Sequence, residues 1–269
     1  MEQKLKPVPL PPSLATLIRK LIHHKRVRDR EQAFVLEGVK PIRELLGSHG
    51  SRFRALVVAA TKVDSYDEIR QAAVHARVPV YGCPASAFAT LSDVAAPTGT
   101  LAILNQPVWD EPAILKRPRL LAFYGDDLQD PTNVGSCIRT ALAFGLDAMW
   151  LSPDSVDVFN PKVVRGTAGA VMKFPVLLLK NMETLTDAGC ALLAADSSQM
   201  GSQSIREIRS IPMKAVIALG NESRGLSGRT VERTILRFHI PIDRRIESLN
   251  VAAAAAIAAF YCQLLPRRR

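Results

Sequence analysis

The sequence lacks the short motifs that mark metal sites, disulfide scaffolds and phosphate-cradling loops. Its four cysteines, Cys83, Cys137, Cys190 and Cys262, are far apart and form no CxxC pair, so neither a zinc site nor a disulfide framework is predicted. The five histidines are scattered without an HExxH motif, so we expect no metal site. The chain also has no GxGxxG and no GK[ST], which excludes the usual dinucleotide and P-loop signatures.

Long apolar runs and targeting segments are also missing. The one stretch that resembles a membrane span, residues 248–265, is mostly alanine, carries Asn250 and Gln263, and falls short of the ~20 apolar residues that a span needs. We expect it to be a buried or interface helix. Residues 1–12 are polar and rich in proline, so no signal peptide is expected. Together with the unpaired cysteines, this predicts a reducing, cytoplasmic location and no membrane association.

Positive charge is concentrated at the start of the chain. Lys and Arg total 35 against 25 Asp and Glu, and residues 1–60 hold seven of the ten net charges. This imbalance favours a face that binds a polyanion, although an ordinary solvated surface would have the same composition. Residues 13–30 have apolar positions at helical spacing and are predicted to form one basic helix capped by Ser13. Its candidate phosphate-binding residues are Arg19, Lys20, Lys25, Arg26, Arg28 and Arg30.

Alternating strand and helix patterns predict two α/β domains separated by a proline-rich linker. The predicted boundaries are 1–105, 106–118 and 119–269. Two strands of the second domain, 191–195 and 215–219, are almost wholly apolar, as expected for a parallel sheet that is covered on both faces. The other predicted strands are 34–38, 53–59, 78–81, 100–104, 120–124, 148–151 and 236–240. The predicted helices are 13–30, 41–46, 64–76, 133–144, 163–170 and 248–265.

Three segments of the second domain place Gly, Asn, Ser or Pro beside an apolar run. They are 130–139, 219–225 and 240–251, and we expect them to form one pocket from loops. Asn133, Arg139 and Glu222 are available there for chemistry. Asn133 and Arg139 are separated by roughly 600° on a regular helix, so they meet only if Asn133 precedes it. Taken alone, Asn133 and Glu222 could equally be helix caps and Arg139 a surface charge, and Ser248 is a good N-cap for the last helix.

The order and content of these segments resemble the SpoU/TrmH family of RNA ribose 2′-O-methyltransferases, within the SPOUT superfamily. The resemblance spans about residues 120–265 and includes the segment 162–170. It implies an α/β domain with a parallel sheet and a deep trefoil knot, a homodimer, and S-adenosylmethionine as the cofactor. The basic N-terminal region, with Phe34-Val-Leu-Glu-Gly38, resembles the L30e-like substrate-binding domain of many members. Ala252 departs from the serine that many relatives have after Asn-Val.

The resemblance also implies residue roles. Arg139 would contact the ribose hydroxyl and phosphate, and would stabilise the developing alkoxide more than act as a literal base, since an arginine side chain stays protonated in proteins. Asn133 and Glu222 would orient Arg139 and the substrate, while Ser248 and Asn250 would hold the knot loop and the target nucleotide. Arg165 joins the RNA-binding residues. The implied cofactor contacts are Leu219, Gly220, Asn221, Gly225, Ile240, Ser248 and Leu249.

Ribosomal RNA is the expected substrate, because an appended L30e-like domain suits a folded RNA loop. Three alternatives remain open from the sequence. The chain could methylate tRNA, it could be a non-catalytic RNA-binding relative of the same fold, or it could methylate a base or a small molecule. Intact Asn133, Arg139, Glu222 and Asn250 argue against the non-catalytic alternative, and the basic N-terminal region argues for RNA.

Overall fold

The computed structural model describes residues 8–60, 66–196 and 201–268. The chain divides into two compact units: Met1–Pro107 with Phe159–Met172, and Val108–Val158 with Lys173–Arg269. The segment Phe159–Met172, which the sequence analysis placed in the second domain, therefore clusters with the first unit.

Strands and helices alternate along most of the described chain. The strands are β1 Val8–Pro9, β2 Ala33–Glu37, β3 Phe53–Ala59, β4 Val80–Cys83, β5 Thr100–Asn105, β6 Leu120–Asp126, β7 Ala148–Leu151, β8 Val176–Leu178, β9 Ala191–Ala195, β10 Gln203–Ser204, β11 Ile211–Pro212, β12 Lys214–Gly220, β13 Thr234–His239 and β14 Arg267–Arg268. The helices are α1 Pro12–His23, α2 Lys25–Glu31, α3 Val39–His49, α4 Asp67–His75, α5 Ala85–Ala89, α6 Glu111–Leu115, α7 Pro131–Ala143, α8 Pro161–Thr167, α9 Glu183–Asp187, α10 Gly228–Glu232 and α11 Val251–Leu264.

The first unit is built on a mixed five-stranded sheet in the order β1-β4-β3-β5-β2. Strand β3 pairs in parallel with β4 and antiparallel with β5, which places it at the centre, and its side chains are nearly all buried. The apolar stripe of α1 packs on this sheet through Ile18 and Leu21, both fully buried. Helix α8 contacts β2, where Phe159 stacks on Phe34 at 5.1 Å between ring centroids.

The prediction of one helix over 13–30 is wrong. Helix α1 ends at His23, the backbone of His24 is extended, and α2 begins at Lys25. Arg28 turns inward and donates from Nη1 to the carbonyl oxygens of Leu21 (2.7 Å) and Ile22 (3.1 Å). These are carbonyls of the last turn of α1, which a helix end leaves without intrahelical partners, so the side chain of Arg28 caps the break.

Three further details of the first unit differ from expectation. Ser13 does not cap α1, since Pro11 occupies the N-cap position and Pro12 the first helical position, where a missing N–H costs nothing. The helix predicted over 41–46 extends over Val39–His49. The helix predicted from residue 64 begins at Asp67; residue 64 itself lies outside the described residues.

The second unit contains a seven-stranded sheet in the order β10-β13-β9-β12-β6-β7-β8. Every strand pair recorded in it is parallel, which confirms the predicted parallel α/β fold. The two apolar strands predicted from the sequence are inner strands of this sheet, and their central side chains are fully buried. A parallel arrangement brings the carboxyl ends of all these strands to one edge, where ligands bind in open α/β sheets.

The helices that begin at this edge have clear local causes. Asp130 caps α7 by accepting from the Thr132 amide at 2.7 Å, and Pro131 fills the first helical position. Helix α11 is capped by Asn250, not by Ser248 as predicted, because the helix begins at Val251.

The predicted linker is a packed segment. It contains α6, whose Ile114 is buried in the core of the second unit. Glu111 accepts a 2.6 Å hydrogen bond from the Trp150 indole nitrogen.

Candidate active site

A cavity of about 730 Å³ lies at the carboxyl ends of β9, β12 and β13, beside the starts of α7 and α11. The three sequence segments identified above meet at this cavity, although Asn133 and Asn250 are 117 residues apart in the chain. Its lining residues are Asp130, Asn133, Ala195, Asp196, Leu219, Gly220, Asn221, Glu222, Ser223, Gly225, Leu226, Phe238, Ile240, Ile242, Glu247, Ser248, Leu249, Asn250, Val251 and Ala254.

The loop after β12 forms one wall of the cavity as a tight turn. The amide and carbonyl groups of Asn221 and Gly225 exchange two 2.9 Å hydrogen bonds, and Gly225 has a positive φ of 70°. The side-chain oxygen of Asn221 accepts from the amides of Ser223 and Arg224, both at 3.0 Å. A Cβ at Gly220 would lie 2.4 Å from the Gly225 carbonyl carbon, so this close approach requires glycine.

Asp127 anchors this loop to the end of β6. Its backbone oxygen accepts from Asn221 Nδ2 at 2.8 Å and its carboxylate accepts from the same nitrogen at 3.2 Å. The carboxylate also pairs with the guanidinium of Arg224, and the Asp127 amide donates to Ser152 Oγ at 2.8 Å. Asp127 holds φ at +59°, a left-handed conformation that aspartate tolerates better than most residues.

Three side chains form a hydrogen-bond chain with a fixed direction. Asn250 Oδ1 accepts from the amides of Ala252 (2.9 Å) and Ala253 (3.3 Å), so its Nδ2 is left to donate to Asn133 Oδ1 at 2.8 Å. Asn133 Nδ2 in turn donates to Glu222 Oε1 at 2.9 Å. Because the helix cap fixes the amide of Asn250, the orientation of the Asn133 amide follows from it. The carboxylate of Glu222 is thereby positioned at the cavity wall.

The cavity is acidic. Four carboxylates, Asp130, Asp196, Glu222 and Glu247, line it, and no Lys or Arg is among its described lining residues. Asp196 pairs with Arg237 at 2.6 Å, and Asp130 is occupied as a helix cap. Such a lining disfavours a phosphate-bearing ligand and favours one with positive charge.

Arg139 does not line this cavity. It lies on an exposed part of α7, and no hydrogen bond or ion pair joins its side chain to another described residue. Asn133 is the third residue of α7, so the two side chains point in different directions, as their spacing predicts. The structure therefore brings together Asn133, Glu222, Ser248 and Asn250 but leaves Arg139 apart from them.

All of the predicted cofactor residues line the cavity, in contrast to the predicted RNA-binding set. Arg19, Lys20, Lys25, Arg26 and Arg30 are exposed on α1 and α2. The assignment of Arg28 is wrong, because its guanidinium is buried and occupied by the carbonyls of α1. Arg165 pairs with both carboxylate oxygens of Asp93, at 2.5 and 3.2 Å.

Sequence reasoning missed several acidic residues that shape the site. Asp126 is buried and accepts from the Ser227 amide at 2.8 Å, which ties the start of α10 to β6. Asp127 anchors the loop, as described above. Their position at the carboxyl end of an apolar strand was a usable signal. Glu247 and Asp196 carried no comparable local pattern.

Burial determines the chemistry of two further groups. It raises the pKa of the Cys137 thiol to about 12, with a smaller contribution from the negative charge of Glu222. This agrees with a packed residue and not with a thiolate nucleophile. Burial, helped by the neighbouring Asp126 carboxylate, also raises the pKa of Tyr124, so its hydroxyl remains a proton donor.

The described residues form neither a metal-binding cluster nor a membrane-spanning helix. Within residues 8–60, 66–196 and 201–268, no three His, Cys, Asp or Glu side chains are grouped so that they could hold a metal ion. Over the same ranges, no helix has the length and apolar character needed to cross a membrane.

Comparison with known proteins finds similarity in both parts of the chain. The SpoU rRNA Methylase family matches residues 121–260, more than half of the chain, and the MRM3-like substrate binding domain matches residues 17–102. The 23S rRNA (guanosine(2553)-2′-O)-methyltransferase RlmP of Bacillus subtilis is 31% identical, over 90% of this chain and 93% of its own length. The 23S rRNA (uridine(2479)-2′-O)-methyltransferase of Streptomyces viridochromogenes is 26% identical, over 90% and 85%.

A solved structure of an rRNA methyltransferase is also similar to this chain. The AdoMet-bound rRNA methyltransferase from Sinorhizobium meliloti superposes with a TM-score of 0.81 at 25% identity, covering 96% of this chain and 97% of that chain. The matched segments carry the residues that line the acidic cavity. This chain therefore belongs to the SpoU rRNA methylase family.

Proposed function

We propose that this protein transfers a methyl group from S-adenosylmethionine to a ribose 2′-hydroxyl of RNA, with ribosomal RNA as its substrate. The observation that carries the proposal is the acidic cavity whose wall holds the directed chain from Asn250 through Asn133 to Glu222. Relatives that align over nearly their whole length are named as 23S rRNA 2′-O-methyltransferases, which supports the same reaction.

The cavity suits S-adenosylmethionine in size and charge. Its volume of about 730 Å³ falls in the range of small-molecule sites. The cofactor supplies a methyl group on a positively charged sulfur, and the carboxylates of Glu222 and Glu247 complement that charge. Leu219, Ile240 and Leu249 offer apolar contact for the adenine ring, while the tight turn at Gly220 presents backbone groups to it.

The chain's own residues then position the ribose. Glu222, fixed by Asn133, would accept a hydrogen bond from the substrate or from an incoming arginine, and Ser248 and Asn250 would hold the target nucleotide. Arg139, exposed and unpaired among the described residues, would stabilise the alkoxide that develops on the 2′-oxygen. Since Arg139 lies away from the cavity of its own chain, we infer that it completes the site of a second copy.

The proposed assembly is a homodimer. Helix α11 exposes Ile257 (41%), Phe260 (55%) and Leu264 (68%), and Phe260 also stacks against Phe144, which follows α7. An apolar stripe of this kind on the helix beside the Arg139 helix is suited to a partner's surface. The deep trefoil knot and the L30e-like fold of the first unit are proposed from the family resemblance, as is the cytoplasmic location.

Ribosomal RNA is favoured over tRNA because of the first unit. It matches an MRM3-like substrate binding domain, and it exposes Arg19 and Lys20 on α1 and Arg26 on α2. Lys25 and Arg30 are also exposed, but they pair with Asp29 and Glu31, so they are weaker phosphate ligands.

The proposal is tested by transfer of labelled methyl from S-adenosylmethionine to unmodified rRNA and tRNA transcripts in parallel, with Arg139→Ala as the control. We expect label on rRNA, and we expect Arg139→Ala to lose transfer while its cofactor affinity remains unchanged, because Arg139 does not line the cavity. Cofactor binding without transfer to either RNA would favour the non-catalytic alternative. Full activity of the variant would remove Arg139 from the mechanism.

A further inference from the structure

A second cleft lies on the other side of the loop that follows β12. Its volume is about 740 Å³, similar to that of the first cavity. It lies over the carboxyl ends of β6, β7 and β8, the half of the sheet edge that the first cavity leaves unused. Its described lining residues are Tyr124, Asp126, Asp127, Ser152, Pro153, Asp154, Leu179, Lys180, Met182, Arg224, Gly225, Leu226, Ser227, Arg229 and Thr230.

The two cavities differ in charge. The first has no cationic side chain among its described lining residues, whereas the second has Lys180, Arg224 and Arg229. Arg224 is committed to Asp127. The side chains of Lys180 and Arg229 are exposed, and neither makes a hydrogen bond or an ion pair with another described residue. Two uncommitted cations beside a concave surface are suited to an anion such as a phosphate.

The other groups of the cleft indicate what carries that phosphate. Asp154 offers an exposed carboxylate that no described side chain occupies, and it can accept from a ribose hydroxyl or a base N–H. Most of the remaining polar groups are already satisfied: Asp126 accepts from the Ser227 amide, and Ser152 Oγ accepts from the Asp127 amide. A ligand with one anionic group and hydrogen-bond donors a few ångströms away matches this distribution.

We propose that this second cleft binds a nucleotide of the substrate RNA that neighbours the methylated one. The inference rests on the proposed function, because it assigns the target ribose to the first cavity. Gly225 and Leu226 line both cavities, so a nucleotide in the cleft contacts the same loop that forms the wall of the cofactor site. The cleft thus contributes to the choice of RNA sequence or shape beside the target.

The test removes the two free cations together, as Lys180→Ala/Arg229→Ala. Its matched control, Lys116→Ala/Arg209→Ala, removes the same charge from exposed positions of the same unit that line neither cavity. Binding of an in-vitro 23S rRNA transcript is measured by filter retention over a series of salt concentrations. KM for the RNA and Kd for S-adenosylmethionine are measured beside it.

We expect the cleft variant to raise KM for RNA about tenfold and to reduce the salt slope of RNA binding by roughly 0.7, the contribution of the one phosphate that the two cations bind together. Its cofactor Kd remains unchanged, and the control pair changes neither quantity. Equal effects of the two pairs, or no effect of the cleft pair, would overturn the proposal.

A titration with 5′-AMP separates RNA from a free nucleotide as the occupant. Saturable AMP binding that needs Lys180 and Arg229, together with unchanged RNA binding in the variant, would assign the cleft to a free nucleotide and sink the proposal. The RNA-binding measurement needs no methyl transfer. An inactive wild-type protein would therefore count against the proposed function and leave the test of the cleft intact.

Discussion

The directed hydrogen-bond chain predicts that one isosteric change, Asn250→Asp, separates stability from activity. Aspartate caps a helix as well as asparagine does, so it can still accept from the Ala252 and Ala253 amides. It cannot donate to Asn133 Oδ1, which now receives its hydrogen bond at 2.8 Å. If the Asn133 amide turns over to restore that contact, its oxygen faces the carboxylate of Glu222.

The magnitude follows from the contact that is lost. Either arrangement leaves one acceptor opposed to another, at a cost of ~1–3 kcal/mol. The helix cap survives, and a negative charge at the start of α11 offsets ~0.3–1 kcal/mol of this. We therefore expect the unfolding temperature to fall by only a few degrees. The misplaced Glu222 should slow methyl transfer by roughly 5- to 150-fold, at ~1.4 kcal/mol for each factor of ten.

Thermal unfolding and single-turnover methyl transfer are the two assays, and Asn160→Asp is the matched control. Asn160 caps α8 by accepting from the Lys162 amide at 3.0 Å, and no hydrogen bond recorded in the described chain links it to the cavity. The control should retain full transfer. Wild-type transfer by Asn250→Asp, or equal losses in both variants, would refute the argument that the direction of the chain matters.

Three further predictions concern the anchor of the loop, the buried thiol and the assembly. Asp127→Gly favours the left-handed backbone at φ +59° but deletes the side chain that anchors the loop. The unfolding temperature should therefore change by less than ~4 °C, while the affinity for S-adenosylmethionine, measured by calorimetry, should fall about tenfold. Unchanged affinity would show that Asp127 does not anchor the cofactor loop. Burial raises the pKa of the Cys137 thiol from 9.0 to about 12. The contribution of the protonated thiol to the free energy of unfolding is therefore complete below about pH 9 and is lost as the pH rises towards 12. In denaturant melts the wild type should therefore lose stability relative to Cys137→Ala over that window, and parallel curves would contradict this. The Arg139→Ala and Glu222→Ala proteins are each expected to be inactive, and they are mixed and allowed to exchange subunits. If Arg139 acts across a twofold interface, about half of the dimers are mixed and each has one intact site, so about a quarter of wild-type transfer should return. If Arg139 acts within its own chain, no transfer should return.

The sequence predicted five of the seven strands in the sheet of the second unit but not β8 or β10, and the best-predicted strands have a physical reason. Strands buried on both faces must be apolar at every position, so residues 191–195 and 215–219 could be recognised without knowledge of their neighbours. The basic helix was predicted less well. Its periodicity did not reveal that Arg28 folds back on the carbonyls of α1, because that contact depends on a break in the helix at His24.

The site itself could be predicted only in part. Local patterns placed Asn133, Glu222 and Asn250 near helix starts or turns, but Asn133 and Glu222 had an equally good explanation as caps. What distinguishes them is a pair of side-chain hydrogen bonds between distant parts of the chain. Asn133 and Glu222 are 89 residues apart, and Asn133 and Asn250 are 117 residues apart, so no local pattern encodes these contacts. The choice of Asn250 over Ser248 as the cap of α11 depends on the direction in which the chain enters the helix. Family resemblance, and not spacing, carried the assignment of Arg139.

The position of the transferred methyl group on the nucleoside tests most directly whether the protein methylates a ribose hydroxyl. An rRNA transcript is incubated with the protein and S-adenosylmethionine, digested to nucleosides, and analysed by mass spectrometry with fragmentation of the product. If the ribose is the acceptor, the product is a nucleoside whose added mass of about 14 Da stays with the ribose fragment, and this product disappears with Arg139→Ala. A methyl group on the base fragment, or the same product from the variant, would contradict it.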